Sequence, residues 1–272
     1  MRERDSDAIR ILWQSSTVVE TFPAYVAAIE AHARERLFAG STIEVRGVPA
    51  GTTNLRFKVF DFLNNRALLA SVAAAEKQGF DAVAVGCFLD PVLDEMREIL
   101  DIPVLSLGEC AMRFACMFGK RFAIVSHTAS LNTKFHADLI ERYGLEKHAG
   151  PLISFELPFD DMVAALEGNA ASSLRRITDA GRRAVAAGAD VIILGCGLMN
   201  LVAIRNGLTE IDGAPVIDAS GVLLKMTEAA AVLQRTSGLR MSRRGYYEKP
   251  DPADLAAALK LYGAEMPPRS AG

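Results

Sequence analysis

The stretch Asp81-Ala-Val-Ala-Val-Gly-Cys-Phe-Leu-Asp-Pro91 decides the fold, because the chain contains its pattern twice. A short apolar run ends in Gly86-Cys87, and a second run, Asp190-Val-Ile-Ile-Leu-Gly-Cys196, ends in the same dipeptide. Apolar runs of this length without alternation are typical of parallel strands that are covered on both faces. The sequence therefore predicts two equivalent buried strands, each ending in a thiol.

The residues around the two cysteines repeat with the same spacing. A glycine stands eight residues before each cysteine, at Gly79 and Gly188, and a Pro-Val strand start follows each, at Pro103 and Pro215. Self-similarity of this kind indicates a duplicated unit, and strands that alternate with helices favour an α/β fold.

We therefore predict two pseudosymmetric Rossmann-like α/β domains with mainly parallel sheets. We assign residues 1–108 and 221–272 to the first domain with a C-terminal extension, and residues 109–220 to the second. Ligands bind beyond the carboxyl ends of the strands in open α/β sheets. If the two halves pack face to face, Cys87 and Cys196 approach one cleft between the domains from opposite sides.

Composition excludes several classes of protein. The chain has 272 residues, of which 50% are hydrophobic and 23% charged, with a net charge of −3. It has no basic stripe, so we expect no nucleic-acid partner. It also has no apolar run that approaches the length of a membrane span, which is ~20 residues. Four cysteines do not make a disulfide framework in a chain of this length. We expect a cytoplasmic protein with reduced thiols, and no membrane partner.

The two strand-end thiols suggest proton-transfer chemistry. A thiol has an ordinary pKa near ~8.5, which a helix N-terminus lowers. We place a helix after each cysteine, one from Pro91 to Leu100 with Asp90 as its cap and one from Leu198, and expect both thiol pKa values to be lowered. A thiolate on one face of a substrate carbon and a thiol on the other form a two-base pair, in which one removes a proton and the other returns it.

Other interpretations of the cysteines remain open. Cysteine is often a small buried hydrophobe, and the chain could be a non-catalytic module that closes on a small carboxylate. Neither strand-end cysteine has a Cys-x-x-Cys partner or a histidine at ligand spacing, so we predict no metal site and no cofactor. We interpret Cys110 and Cys116 as core residues of an apolar helix.

Polar residues after the opening strand of each half are the next candidates for the site. Their short hydroxyl and amide groups suit the anchoring of a carboxylate, although helix capping or loop hydrogen bonding would also explain them. These residues are Gln14, Ser15, Ser16 and Thr17 in the first half, and Ser126 and His127 in the second. We interpret the arginines near the C-terminus, at Arg240, Arg243 and Arg244, as a solvated face.

Several segments resemble the aspartate/glutamate/hydantoin racemase superfamily, and most closely its hydantoin racemase branch. The resemblance runs over nearly the whole chain in order, and the paired Gly-Cys strand ends are its most specific part. The matching segments are Ile9-Arg-Ile-Leu12, Gly86-Cys-Phe-Leu-Asp-Pro91, Glu109-Cys-Ala111, Leu194-Gly-Cys-Gly197, Pro215-Val-Ile-Asp218 and Ser242-Arg-Arg-Gly-Tyr246.

The resemblance implies a cofactor-independent racemase or epimerase with its site between two α/β domains. It gives Cys87 and Cys196 the two base roles in a 1,1-proton transfer at a carbon next to a carbonyl or carboxylate of a hydantoin- or amino-acid-like substrate. It also implies substrate contacts, which are Gln14, Ser15, Ser16, Thr17, Gly86, Phe88, Ser126, His127 and Gly197. Small cleft enzymes of this kind commonly associate, so we expect a homo-oligomer.

Three loops depart from the pattern of that branch, and all three would face the substrate. They are Gln14-Ser-Ser-Thr17, Gly51-Thr-Thr-Asn-Leu-Arg56 and Ser126-His127, and Arg56 is placed near a substrate carboxylate. The departures leave open a related enzyme on the same scaffold, namely a maleate-type cis–trans isomerase or an arylmalonate-type decarboxylase. Retention of both cysteines counts against the decarboxylase.

Overall fold

The computed structural model describes residues 8–52, 57–127 and 131–261, with the exception of the side chains of residues 131 and 132. The predicted contact of Arg56 therefore lies outside the described residues. Among the helices that the structure describes, none combines the length and the apolar character that a membrane span requires.

Four parallel strands form the first sheet, in the order β2-β1-β3-β4. The strands are β1 (Arg10–Gln14), β2 (Thr42–Arg46), β3 (Ala82–Val85) and β4 (Val104–Ser106). The helices of this part are α1 (Pro23–Arg36), α2 (Lys58–Val72), α3 (Leu93–Ile99) and α4 (Leu107–Ala115). All four residues of β3 are buried, as expected for a central parallel strand.

The second sheet repeats this arrangement, with three parallel strands in the order β6-β5-β7. Val216 pairs in parallel with Ile192 of the last strand, in the place that β4 takes in the first sheet. The strands are β5 (Phe122–His127), β6 (Ala149–Phe155) and β7 (Val191–Leu194), and the helices are α5 (Leu131–Arg142), α6 (Phe159–Leu166), α7 (Ala171–Ala186) and α8 (Gly197–Arg205). A short antiparallel pair follows, β8 (Glu210–Ile211) with β9 (Ala214–Pro215).

The matching strand orders confirm the predicted α/β fold with mainly parallel sheets. One hydrophobic cluster contains buried residues of both sheets, among them Trp13, Phe88, Ile124 and Ile193. The long helix α9 (Ala219–Ser237) packs on α1, α4 and α8 and on β3, so it contacts elements of both halves. The last described helix is α10 (Pro252–Leu261). The division into two domains at the predicted boundaries stays a prediction.

The segment after Cys87 differs from the prediction. The predicted helix from Pro91 to Leu100 begins only at Leu93, and Asp90 and Val92 have positive φ values of 47° and 46°. The Asp90 carboxylate does not cap that helix. It accepts the backbone N–H groups of Gly108 (2.8 Å) and Glu109 (2.6 Å), so it caps α4 instead. The left-handed turn directs the carboxylate away from the helix that follows it in sequence.

One of the three C-terminal arginines, Arg243, differs from the prediction of a solvated face, whereas Arg240 and Arg244 are exposed as predicted. Arg243 donates hydrogen bonds to the carbonyl oxygens of Arg97 (2.7 Å), Leu100 and Tyr247 (3.0 Å), and it pairs with Asp101 at 2.9 Å. A guanidinium group presents five N–H donors in a fixed fork, which suits the carbonyl oxygens exposed at a helix C-terminus. Arg243 therefore attaches the C-terminal segment to the end of α3.

Candidate active site

The two Gly-Cys dipeptides lie at equivalent places and approach one another. The N–H of Gly86 donates to the Gln14 carbonyl oxygen, and the N–H of Gly195 donates to the Val125 carbonyl oxygen, each at 2.8 Å. Each bond extends the hydrogen bonding between the strands of its sheet by one residue. A methyl group on Gly197 would lie 3.1 Å from the Gly86 carbonyl oxygen. Only a residue without a side chain fits here comfortably, so the backbones after the two strands meet at this point.

Cys87 is held as a neutral thiol. It is partly exposed. Burial is the main cause that raises the pKa of Cys87 to about 12. The charges of Asp61 and Asp90 also raise this pKa, whereas hydrogen bonds from the Ser16 side chain and the Leu89 backbone lower it. The predicted helix N-terminus is missing, because α3 begins six residues later at Leu93. The expectation of a lowered pKa is therefore wrong for this thiol.

The surroundings of Cys196 favour its thiolate form. It directly precedes α8 and is partly exposed. Burial raises the pKa of this thiol, but the charge and hydrogen bond of His127 and the backbone N–H groups of Met199 and Leu198 outweigh burial and leave the pKa below its ordinary value. The predicted helix N-terminus contributes to this shift, and His127 contributes more.

His127 completes an ion pair with Cys196. Burial lowers the pKa of His127, but the charge and hydrogen bond of Cys196 act the other way, together with the charge of Glu156 and a hydrogen bond to the Leu157 backbone, and the net pKa is raised. The two opposite shifts favour the imidazolium form of His127 and the thiolate form of Cys196, an arrangement that activates cysteine as a base or nucleophile.

The loop after β1 divides into a supporting residue and residues that face the thiols. Gln14 is fully buried, accepts a hydrogen bond from Ser71 Oγ (2.7 Å) and donates to the Ser15 carbonyl oxygen (2.9 Å), so its amide holds the loop. Ser15 Oγ lies 3.2 Å from Thr17 Oγ1, and Ser16 reaches Cys87.

The corresponding residues of the second half lie close to the strand ends. Ser126 is buried, with its hydroxyl 3.5 Å from the Gly195 carbonyl oxygen. Phe88 is buried and packs edge-on against His136, with ring centroids 5.3 Å apart. Burial lowers the pKa of His136 to about 4, so this ring is a neutral packing partner between Phe88 and Gly195.

Sequence reasoning missed Tyr25 and Trp13. Trp13 Nε1 donates to Tyr25 Oη at 3.0 Å, and both thiols act electrostatically on the Tyr25 phenol. Both residues fit the apolar periodicity of a core strand and a core helix, which does not distinguish them from packing residues. One feature of the sequence could have identified Tyr25 as a site residue. It is the third residue of a helix, and that helix follows a strand-end loop with several hydroxyl side chains.

Within the described ranges, no group of three or more histidine, cysteine, aspartate or glutamate side chains is arranged to hold a metal ion. The polar groups around the thiols are instead matched to one another in pairs, as His127 is to Cys196 and Ser16 to Cys87. The arrangement can remove a proton at one sulfur and supply one at the other.

Comparisons with known proteins agree with this geometry. The model of the Asp/Glu/Hydantoin racemase family matches residues 15–227. A hydantoin racemase from Rhizobium meliloti is 33% identical over 163 residues, which is 60% of this chain and 65% of that protein, a little under two thirds of its length. A hydantoin racemase from Paenarthrobacter aurescens is 30% identical over 185 residues, 67% of this chain and 74% of that protein.

A solved structure of similar shape is the allantoin racemase from Klebsiella pneumoniae. It superposes with a TM-score of 0.77 at 28% identity and covers 90% of this chain and 94% of its own. The predicted resemblance is thereby confirmed, and the prediction of an isomerase of the racemase class is confirmed at the level of the family. With more than three quarters of its residues matched by the family model, the chain belongs to the Asp/Glu/hydantoin racemase family.

Proposed function

We propose that this protein is a cofactor-independent racemase that inverts a carbon next to a carbonyl group by proton transfer between Cys196 and Cys87. The observation that carries the proposal is the placement of the paired thiols in surroundings that shift their pKa in opposite directions, with the pKa of Cys196 lowered and that of Cys87 raised to about 12. A two-base reaction needs one partner as base and the other as acid at the start of each turnover.

The proposed step balances without a further reactant. The Cys196 thiolate takes the proton from the substrate carbon, and the electron pair of that C–H bond forms an enolate with the neighbouring carbonyl. The Cys87 thiol gives its proton to the opposite face, so the carbon is inverted and the proton has moved between the two sulfurs. His127 stabilises the thiolate, and Ser16 hydrogen-bonds Cys87.

We propose a five-membered cyclic ureide, such as a hydantoin or allantoin, as the substrate. Its ring carbonyl is a neutral amide, so proton removal creates one negative charge, whereas removal from a carboxylate substrate creates a dianion. Asp61, Asp90 and Glu156 act on the site electrostatically, and their charges disfavour a second charge on the substrate. The hydantoin and allantoin racemases that resemble the chain support the same class.

The remaining predicted contacts have supporting roles in this proposal. Gly86 allows the Trp13 indole to pack against one strand end, and Gly197 allows the two backbones to approach. Phe88 and Ser126 are buried next to the strand ends. Ser15 and Thr17 place hydroxyl groups at the edge of the cleft, while Gln14 fixes their loop.

The test is inversion of enantiopure 5-methylhydantoin and allantoin in D₂O by the wild type, Cys87→Ser and Cys196→Ser. Inversion is followed by circular dichroism and deuterium uptake by NMR. Both variants lose about 10²–10⁴-fold in inversion rate, the usual contribution of a general acid or base. Cys87→Ser still exchanges deuterium into one enantiomer, because the resting base remains, and Cys196→Ser exchanges neither.

The matched control is Cys116→Ser, in which a partly exposed thiol on the helix end is replaced and its hydrogen bond to Met112 O can be kept. This variant inverts both probes at the wild-type rate. Undiminished inversion by either strand-end variant overturns the two-base assignment, and no inversion of either probe by the wild type overturns the substrate class.

The thiolate–imidazolium pair also favours a second candidate, a cis–trans isomerase in which Cys196 is a nucleophile. In that reaction the sulfur adds to a carbon–carbon double bond, the resulting single bond rotates, and the sulfur leaves. Incubation with maleate distinguishes the two reactions. Formation of fumarate with a maleate adduct on Cys196 in the mass spectrum establishes the isomerase, and its absence leaves the racemase.

A further inference from the structure

Tyr25 is a polar side chain near the thiols to which the proposed proton transfer gives no role. It is the third residue of α1, and its phenol oxygen accepts a hydrogen bond from Trp13 Nε1 at 3.0 Å. The indole of Trp13 is buried against the backbone of Gly86, because a methyl group there would lie 2.5 Å from Nε1. The strand end that carries Cys87 therefore fixes the position of Tyr25.

Tyr25 lies at the junction of the two halves. Its side chain packs against the cluster that contains Trp13 and Ile193 and also against the cluster that contains Met199 and Leu194. Burial is the main cause that raises the pKa of Tyr25 to about 12, and Cys196 and Cys87 both contribute to the shift by their charge. The phenol therefore stays protonated and close to both sulfurs.

The hydrogen bond from Trp13 leaves the phenolic proton available. Trp13 Nε1 can only donate, so the phenol oxygen accepts this bond. A neutral tyrosine has one O–H donor besides its acceptor lone pairs. The bond with Trp13 therefore does not use the phenolic proton.

We propose that Tyr25 donates its phenolic hydrogen bond to the carbonyl oxygen next to the carbon that is inverted, and so stabilises the enolate. This inference rests on the proposed racemase function and adds a third catalytic residue to the two thiols. The phenol keeps its proton throughout. Negative charge grows on the substrate oxygen as the C–H electrons move, so the hydrogen bond strengthens in the transition state, which is the condition for rate enhancement.

Several other donors near the thiols are engaged by the sulfurs. His127 and the N–H groups of Leu198 and Met199 stabilise the Cys196 thiolate, and Ser16 hydrogen-bonds Cys87. A donor used to hold a thiolate cannot be given to the enolate without raising the pKa of that sulfur. Tyr25 neither stabilises the Cys196 thiolate nor hydrogen-bonds Cys87. Because it contacts both halves, its hydroxyl is suited to donate to a substrate oxygen that lies between the two sulfurs.

Tyr25→Phe tests the inference with 5-methylhydantoin and allantoin as probes. Loss of one donor to a developing oxyanion typically lowers kcat by about 10²-fold or more, so we expect a loss of about 100-fold with KM within about threefold. The alkylation rate of Cys196 with iodoacetamide stays within about threefold of the wild type, because the thiolate keeps its partners. Tyr246→Phe, the same change on an exposed tyrosine, keeps full activity.

Tyr25→Phe leaves the Trp13 N–H without its partner, so Trp13→Phe/Tyr25→Phe is measured beside it. The double variant removes both polar groups and loses the same activity if the donor is what matters. A kcat within threefold of wild type in either folded variant overturns the inference while Cys-dependent inversion by the wild type still stands. Failure of the wild type to invert either probe overturns the proposed function, and the inference with it.

Discussion

Two thiols in equivalent places have pKa values shifted in opposite directions, mainly by burial at Cys87 and by neighbours that outweigh burial at Cys196. Cys196 precedes a helix directly and meets an imidazolium, whereas Cys87 precedes a turn and meets two carboxylates. Each neighbour changes which form of the sulfur is favoured. The duplicated scaffold supplies the symmetry of position, and residues outside the repeat supply the difference that a directed proton transfer requires.

His127→Asn removes the charge that keeps Cys196 ionised. Burial then dominates, so the pKa of Cys196 rises above its ordinary value, and the thiolate fraction at pH 7 falls by up to about tenfold for each unit that the pKa rises. We expect the midpoint of the rate of iodoacetamide alkylation against pH to move upward. Inversion at pH 7 falls in proportion.

The matched control for this change is His148→Asn. His148 lies near the opposite end of β5, where its carbonyl oxygen accepts the N–H of Phe122, and its ring contacts the Lys120 carbonyl oxygen. This variant keeps the wild-type profile. An unchanged alkylation midpoint in His127→Asn would show that the N-terminus of α8 alone holds the thiolate.

The sequence allowed the cysteine pair to be predicted, because duplication is visible as spacing. It did not allow the prediction of Tyr25, Trp13 or the raised pKa of Cys87. Their roles depend on contacts between segments distant in sequence, such as Trp13 against Gly86, and an apolar periodicity describes a core aromatic and a site aromatic equally well.

At the scale of elements, Asp90 joins three parts of the structure. Its carboxylate caps α4 through Gly108 and Glu109 and accepts the hydroxyl of Tyr143 at 2.7 Å. The prediction assigned this residue to the helix that follows it, because a cap signal in a sequence does not reveal which helix it serves. Burial raises the pKa of Asp90 to about 6, with the hydrogen bonds to its neighbours acting against burial.

Asp90→Ala leaves two buried N–H groups and a phenol without their acceptor. Each such loss costs about 1–3 kcal/mol, so we expect the free energy of unfolding to fall by at least about 3 kcal/mol, measured by urea denaturation. Asp94→Ala is the control. Its carboxylate bonds Tyr246 and Tyr247 at the surface, where we expect a loss below about 1 kcal/mol.

The same comparison has a defined dependence on pH. The folded pKa of about 6 lies above the ordinary value near 3.9, so the native state binds the Asp90 proton more tightly than the unfolded state does. The stability that this proton provides is fully present below pH ~3.9 and is lost as the pH rises through about 6. The difference between wild type and Asp90→Ala is therefore larger at pH 4.5 than at pH 7.5, and a difference that grows with pH would contradict the assignment.

At the scale of the whole molecule, the repeat predicted two sheets, and the structure has them in the same strand order. The alternation of strands and helices could be predicted, because parallel strands buried on both faces are short, continuous apolar runs in the sequence. The hydrophobic cluster shared by the two halves and the contacts of helix α9 could not be predicted, because the sequence of an apolar face does not identify the surface against which it packs. The domain boundaries, a homo-oligomeric state and a cytoplasmic location remain predictions.

The C-terminal segment supplies the last prediction, because its attachment depends on one side chain. Arg243 bonds the carbonyl oxygens at the end of α3 and pairs with Asp101, which Lys249 also contacts at 2.6 Å. Arg243→Ala removes the first set of bonds together, so the segment after Gly238, where α9 ends, separates from α3 more often. We expect faster trypsin cleavage in this segment and faster amide hydrogen exchange at the end of α3.

Arg244→Ala is the matched control, since this neighbouring arginine is exposed and its backbone N–H contacts Ser242 Oγ. Both variants remove one trypsin site, so their cleavage rates compare directly. Equal protection in the two variants would show that Lys249 and the tyrosines at 246 and 247 hold the segment without Arg243. Faster cleavage in Arg243→Ala alone would tie the C-terminal segment to the first half of the chain, as the predicted assignment of residues 221–272 requires.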